Sequence, residues 1–239
     1  MVNDQGRSPS PNVSMDDSRT RAAEQTILAL RRAEARTIAF AAPEPGSGTS
    51  AFAALAAGIL ARSGQPTLLI DISRAAQDPA NGTAWVPGRE EAKIRAATTQ
   101  ADFARLTVQA GPDVRFLFDN TEWFRRVLDT DLSSYDYIVL DLAPLFDSPT
   151  DSVNPFAAAA ACDALVLVCR RGEVTKERLK NAVDTARATG CRPFGIVMTQ
   201  DGYISVGEEI ARTARKLFFF APWFAKWIGR KATSSEILS

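Results

Sequence analysis

Apolar residues in this chain come in short, dense runs separated by longer amphipathic stretches. Thr37–Ala42, Thr67–Ile72, Tyr137–Leu140, Ala164–Cys169 and Phe194–Met198 are each too short for a helix and rich in Ile, Leu, Val or Phe, which predicts buried strands. Leu106–Gln109 predicts a further short strand. Between them lie helical patterns. Ser18 is read as the cap of a helix running to about Ala35, with Ala23, Ile27 and Leu30 on one face. Ser50–Ser63 is Ala-rich and proline-free, with Gly64 as a natural stop. Thr121–Thr130, Phe156–Cys162 and Thr175–Thr189 complete the set, the last closed by Gly190. Residues 73–100 read largely as loop, because Asp78-Pro79, Asn81-Gly82 and Pro87-Gly88 mark turns. Residues 1–17, rich in Ser, Pro, Asn and Asp, read as a disordered tail.

Strands alternating with helices predict an α/β fold of three layers, a mainly parallel sheet with helices on both faces. Ligands of such sheets bind at the carboxyl ends of the strands, so the polar residues that follow each strand carry the chemical interest. The implied organisation is the tail 1–17, one domain over 18–204, and a distinct segment over 205–239.

Composition narrows the chemistry. A hydrophobic content of 46% supports a large core, and 28 basic residues balance 28 acidic ones. The resulting zero net charge supplies no global field for nucleic acid, which is not expected as a partner. The absence of histidine removes the commonest general base and excludes His-dependent triads. Cys162, Cys169 and Cys191 fit neither a zinc site nor a CxxC pair and read as reduced cytosolic thiols. The first 18 residues are polar with no secretory signal, and no uninterrupted apolar run reaches about 18 residues. A soluble or surface-attached chain is the expectation.

The first predicted strand leads into Ala-Pro-Glu-Pro-Gly-Ser-Gly-Thr-Ser, from Ala42 to Ser50, and directly into a helix. A Gly-rich turn ahead of a helix aims backbone N–H groups and the positive end of the helix dipole at one point, which suits phosphate. Against the Walker A pattern GxxxxGK[ST], Gly48 and Ser50 match. Pro43 stands in place of the first Gly and Thr49 in place of the Lys. No neighbouring lysine can substitute, since the first lysine in the chain is Lys93. Losing one such electrostatic contact typically costs roughly 3–4 kcal/mol, about 10²–10³ in rate. Asp71 lies near the end of the second predicted strand and Asp141 ends a later one. A carboxylate there is expensive without a partner, and in P-loop proteins that partner is Mg2+ or its water shell.

Taken together these residues resemble the MinD/ParA superfamily, and within it the bacterial tyrosine kinases of capsule and exopolysaccharide systems. Pro45-Gly46-Ser47-Gly48-Thr49-Ser50 resembles their Pro-Gly-Glu-Gly-Lys-Ser loop. Leu68–Asp71 and Tyr135–Asp141 resemble their two acidic strands, and Asp163–Val168 and Gly195–Met198 match later strands. The resemblance spans about residues 20–200. It implies a P-loop NTPase-like fold, with Gly46, Ser47, Gly48, Thr49, Ser50 and Thr199 around ATP or ADP. It places Ser50, Asp71 and Asp141 around Mg2+, and makes Asp71 and Asp141 the catalytic acids of an active member. Four kinase features are missing: the loop lysine, the Asp expected at Ser73, the base-contacting Asn expected at Thr199, and a terminal tyrosine cluster, since no tyrosine follows Tyr203. The sequence therefore reads as a pseudokinase-like member that binds ATP or ADP with Mg2+, or no cofactor at all. Its implied setting is exopolysaccharide, capsule or holdfast export beside a membrane polysaccharide co-polymerase, at the inner face of the plasma membrane, with relatives often pairing as homo-oligomers. A MinD/ParA-type ATPase switch and an active tyrosine kinase are the competing readings.

The segment Leu217–Ile228 is aromatic, flanked by basic residues, with no acid from Ala211 to Ser235. A helix opened by Pro222 would place Trp223, Phe224 and Trp227 on one face, with Lys226 pointing away and Arg230 at the flank. These aromatics either pack on the domain or a partner subunit, or meet an anionic membrane surface.

Overall fold

A computed structural model describes residues 15–73, 83–88, 103–108, 112–146, 148 and 152–199. The elements run α1 (Met15–Arg32), β1 (Thr37–Ala41), α2 (Thr49–Arg62), β2 (Thr67–Asp71), β3 (Thr83–Trp85), β4 (Ala104–Val108), α3 (Pro112–Asp119), α4 (Thr121–Thr130), β5 (Tyr137–Asp141), α5 (Pro155–Ala160), β6 (Ala164–Arg170), α6 (Lys176–Ala188) and β7 (Pro193–Thr199). The seven strands form one sheet in the order β3-β4-β2-β5-β1-β6-β7, every pair parallel. The expected three-layer α/β architecture is therefore present.

Strand alternation divides the interior into two layers. Ala39, Ala41, Leu68, Ile70, Ile138 and Leu140 belong to one buried cluster with Phe118, Phe124, Ala158 and Ala182 of the helices α3 to α6. Their alternating neighbours Ile38, Phe40, Leu69 and Val139 are equally buried outside that cluster. With a period of two they face the opposite side, where α2 packs along β1, β2 and β5 and α1 packs on α2. Phe40 and Phe52 meet there with ring centroids 5.6 Å apart. Burial on both faces explains why the central strands read as continuous apolar runs.

Three local readings are corrected. The first helix begins at Met15, so Ser18 lies inside it and is not its cap. Chain reversal follows Arg32, with Glu34 at φ 56°. Residues 73–100 contain a strand, β3, whose three residues pair with Leu106–Val108 of β4; such a short edge strand carries too few positions for a period to register. The α3 helix was not anticipated, because its Pro112 and Asp113 look like turn residues, although proline suits the first turn of a helix. The remainder of the expected tail and the aromatic segment, with Trp223, Phe224, Lys226, Trp227 and Arg230, lie outside the described residues. No helix among the described residues is long and apolar enough to cross a membrane.

Candidate functional site

The centre of the sheet brings the expected site residues to one edge. The chain leaves β1, passes over to β2 by way of α2, and leaves a slot between them that β5 later fills. The carboxyl ends of β1, β2 and β5 are thus adjacent, and the register places Asp71 directly opposite Asp141 and Phe40 opposite Asp141 on its other side.

The loop from Ala42 to Ser50 rises from the end of β1. Gly46 and Gly48 have φ of 85° and 77°, a left-handed backbone that side chains with a Cβ rarely adopt. A Cβ added to either would touch nothing within 4 Å, so torsion and not space demands glycine. Gly48 is the N-cap of α2 and offers no side chain to the first-turn N–H groups, and that turn holds no acidic residue. By contrast α4, α5 and α6 are capped by Asn120, Asn154 and Thr175. The α2 terminus therefore presents uncapped N–H donors of a 14-residue helix in an open cradle.

Several contacts hold the loop in shape. Leu145 N–H donates to Ala42 O at 2.7 Å and Phe146 N–H to Pro43 O at 3.2 Å. Ser47 is buried and its hydroxyl donates to Glu44 O at 3.3 Å. The Thr199 hydroxyl lies 3.1 Å from Ser47 O and 3.2 Å from Cys169 O, tying the end of β7 to the loop. Its proton is thereby committed to backbone carbonyls. Glu44 pairs with Arg178 of α6 at 3.1 Å, and the same guanidinium stacks 4.4 Å over Phe146. Arg178 and Phe146 carry no sequence motif, and Glu44 lies within the Gly-rich loop without a role that the motif assigns.

The acid pair is the electrostatic centre. Asp141 is 1% exposed. Its Oδ2 lies 3.4 Å from Ser73 Oγ, and its Oδ1 makes no hydrogen bond among the described residues. Burial pushes its carboxyl up to about 6; the neighbouring Ser50 hydroxyl, Ser73 and Arg105 act downward and Asp71 upward. Asp71 is fully engaged. Its Oδ1 accepts from Ser73 Oγ at 2.8 Å and Ser73 N–H at 3.2 Å, and its Oδ2 accepts from Arg105 at 2.7 Å. Arg105 escaped the sequence reading, though a charged residue within an otherwise uncharged strand is a signal that it needs a partner.

The geometry bears on a divalent metal at Ser50, Asp71 and Asp141. The unpartnered Asp141 Oδ1 beside Ser50 favours a cation. Asp71 does not fit, because a dication on its Oδ2 would meet the Arg105 guanidinium. No group of three or more Cys, Asp or Glu side chains able to hold a metal occurs among the described residues. What the site offers without a metal is an anion cradle at the α2 terminus, with a buried carboxylate and the partly exposed Arg105 cation behind it.

No protein-family model matches the chain. It is 23% identical over 200 residues to the tyrosine-protein kinase CpsD of Streptococcus agalactiae, spanning 78% of this chain and 82% of that protein. The kinase domain of Escherichia coli tyrosine kinase ETK superposes with a TM-score of 0.65 at 20% identity, covering 84% of each chain. A chain of the MinC:MinD cell division complex of Aquifex aeolicus gives 0.51 at 15% identity over 68% of each chain. By sequence and by fold, the chain is a homologue of tyrosine-protein kinase CpsD, built on the P-loop fold common to bacterial tyrosine-kinase domains and the MinD and ParA ATPases.

Proposed function

We propose that the chain is a kinase-like regulator or scaffold of exopolysaccharide, capsule or holdfast synthesis and export, working with a membrane polysaccharide co-polymerase or another export component. Its loop of Gly46, Ser47, Gly48, Thr49 and Ser50 holds the phosphates of ATP or ADP through backbone N–H groups. Transfer of the terminal phosphoryl group is slow or absent. The observation that carries this reading is Thr49, the first residue of α2, at the place where a kinase loop carries its lysine. A hydroxyl there can orient a phosphate oxygen but cannot neutralise the charge that develops during transfer. Thr199 supports the reading, since its hydroxyl braces the loop from beneath. In this account Asp71 and Asp141 shape the floor of the site and do not act as catalytic acids. The segment 217–231 attaches the chain to an anionic inner membrane surface or to its membrane partner.

Titration of the full chain with ATP, read as thermal stabilisation alongside phosphate release and phosphotyrosine formation, tests the proposal. Stabilisation without turnover is the expected result. Rapid turnover that Asp141→Asn abolishes would establish a MinD/ParA-type switch instead, and phosphotyrosine would establish an active kinase. Removing residues 217–231 is expected to release the chain from anionic vesicles; equal retention of the shortened chain rejects the membrane role.

A further inference from the structure

We infer that Arg105 is the resident counter-cation of the acid pair, and that this site takes a phosphate-bearing ligand without a divalent metal. The inference deepens the proposed function and rests on its reading of the loop as a phosphate cradle.

Leu68, Ile70, Leu106, Ile138 and Leu140 face α3 to α6. The odd-numbered residues of β2, β4 and β5 therefore face α2, which puts Arg105, Asp71 and Asp141 on one side of the sheet. The register pairs Arg105 with Leu69, two residues short of Thr107, the position opposite Asp71. A long side chain reaches such a diagonal neighbour, and the guanidinium meets Asp71 Oδ2 at 2.7 Å.

The consequence follows from the count of groups. Ser73 supplies two donors to Asp71 Oδ1 and Arg105 supplies one to Oδ2, so Asp71 needs no metal. A dication placed against Asp71 would have to displace Arg105, whose Nε is already buried without a partner. Like-charge juxtaposition of that kind costs several kcal/mol in general. Asp141 is only 1% exposed, and its Oδ1, beside the Ser50 hydroxyl, makes no hydrogen bond among the described residues. That oxygen calls for a donor, which a bridging water or the hydroxyl of a monohydrogen phosphate provides. Above it, the uncapped α2 terminus supplies the donors for the remaining phosphate oxygens. The site thus offers an anion the donors of the α2 terminus, while the acid pair keeps its own cation, Arg105, on β4.

Mg2+ alone, with Mn2+ as a paramagnetic reporter, is titrated against the full chain and against Arg105→Gln, following melting temperature and metal-bound spectra. The wild-type chain is expected to show no saturable response. Arg105→Gln is expected to gain metal affinity by about tenfold or more, since two carboxylates lose their cation. Saturable binding of Mg2+ by the wild-type chain that Asp141→Asn abolishes overturns the inference, and this arm needs no substitution at Arg105 that could fail to fold. A second arm adds ADP in EDTA and in excess Mg2+. Equal stabilisation supports metal-free binding, and stabilisation that requires Mg2+ overturns it. No stabilisation by ADP under either condition overturns the ligand half together with the nucleotide reading of the loop, while the metal titration still decides the role of Arg105. ATP turnover would sink the proposed function without touching the metal result, so the two fail separately.

Discussion

Asp141 and Asp163 are both aspartates beside a parallel strand, and their surroundings drive them in opposite directions. Asp141 ends a buried strand against another carboxylate, and burial raises its pKa to about 6. A raised carboxyl is most at ease when protonated. Its charge therefore costs nothing below the ordinary value of 3.8, and the cost grows as pH rises from there to about 6, above which it is constant. Replacing it with Asn, which cannot ionise, is expected to stabilise the fold by about 1–3 kcal/mol at pH 7.5. Denaturant melts should show that gain shrinking through pH 6 and vanishing below pH 4. A variant less stable than wild type at every pH would mean that Asp141 is held by a partner this site does not contain.

At the scale of elements, the two ends of the sheet are built for different tasks. The amino-terminal edge is closed by Asp163, at the entrance to β6, whose Oδ2 accepts from Arg36 N–H, Thr37 N–H and Thr37 Oγ1 at 2.9–3.0 Å. The Arg36 guanidinium in turn reaches Leu132 O and Tyr135 O ahead of β5. Burial alone would raise the Asp163 carboxyl, but the donors of Thr37 and Arg36 together with Arg125 outweigh it and lower the pKa. Stability from this group is present above the ordinary carboxylate value and is lost as pH falls through the lowered one. Asp163→Asn is expected to cost about 1–3 kcal/mol at neutral pH, with the difference from wild type fading in acid, as urea melts across pH can measure. Among the described residues the carboxyl-terminal edge shows no such closure. There the loop is braced from outside by Thr199 and by the Glu44–Arg178 pair, and its cradle is left open.

The whole molecule keeps a P-loop scaffold whose cation stands elsewhere than in a Walker A loop. In a Walker A loop the lysine approaches the phosphates from the helix terminus; here the cation sits on β4 beneath the acid pair. Thr49→Lys alone is expected to tighten ADP binding about tenfold without restoring turnover, because Asp71 remains occupied by Arg105. Thr49→Lys combined with Arg105→Gln is expected to bring Mg2+-dependent phosphate release above that of either single variant, a coupling that a double-mutant cycle reads directly. Equal release from the single and the double variants would show that the two positions act independently.

Most of the architecture was legible in the order of residues, because a strand buried on both faces must be a continuous apolar run and an uncapped glycine turn before an Ala-rich helix announces itself. The positions of Asp71 and Asp141 at strand ends, and Thr49 in place of a lysine, were equally readable. What sequence could not reveal was β3, too short to show a period, and α3, hidden behind turn-forming residues. Nor could it reveal the partner of Asp71, since Arg105 lies 34 positions away and meets it only through the β2–β4 register. Local chemistry is written in neighbouring residues; the identity of a buried charge's counter-ion depends on which strands lie side by side, and only the assembled sheet decides that.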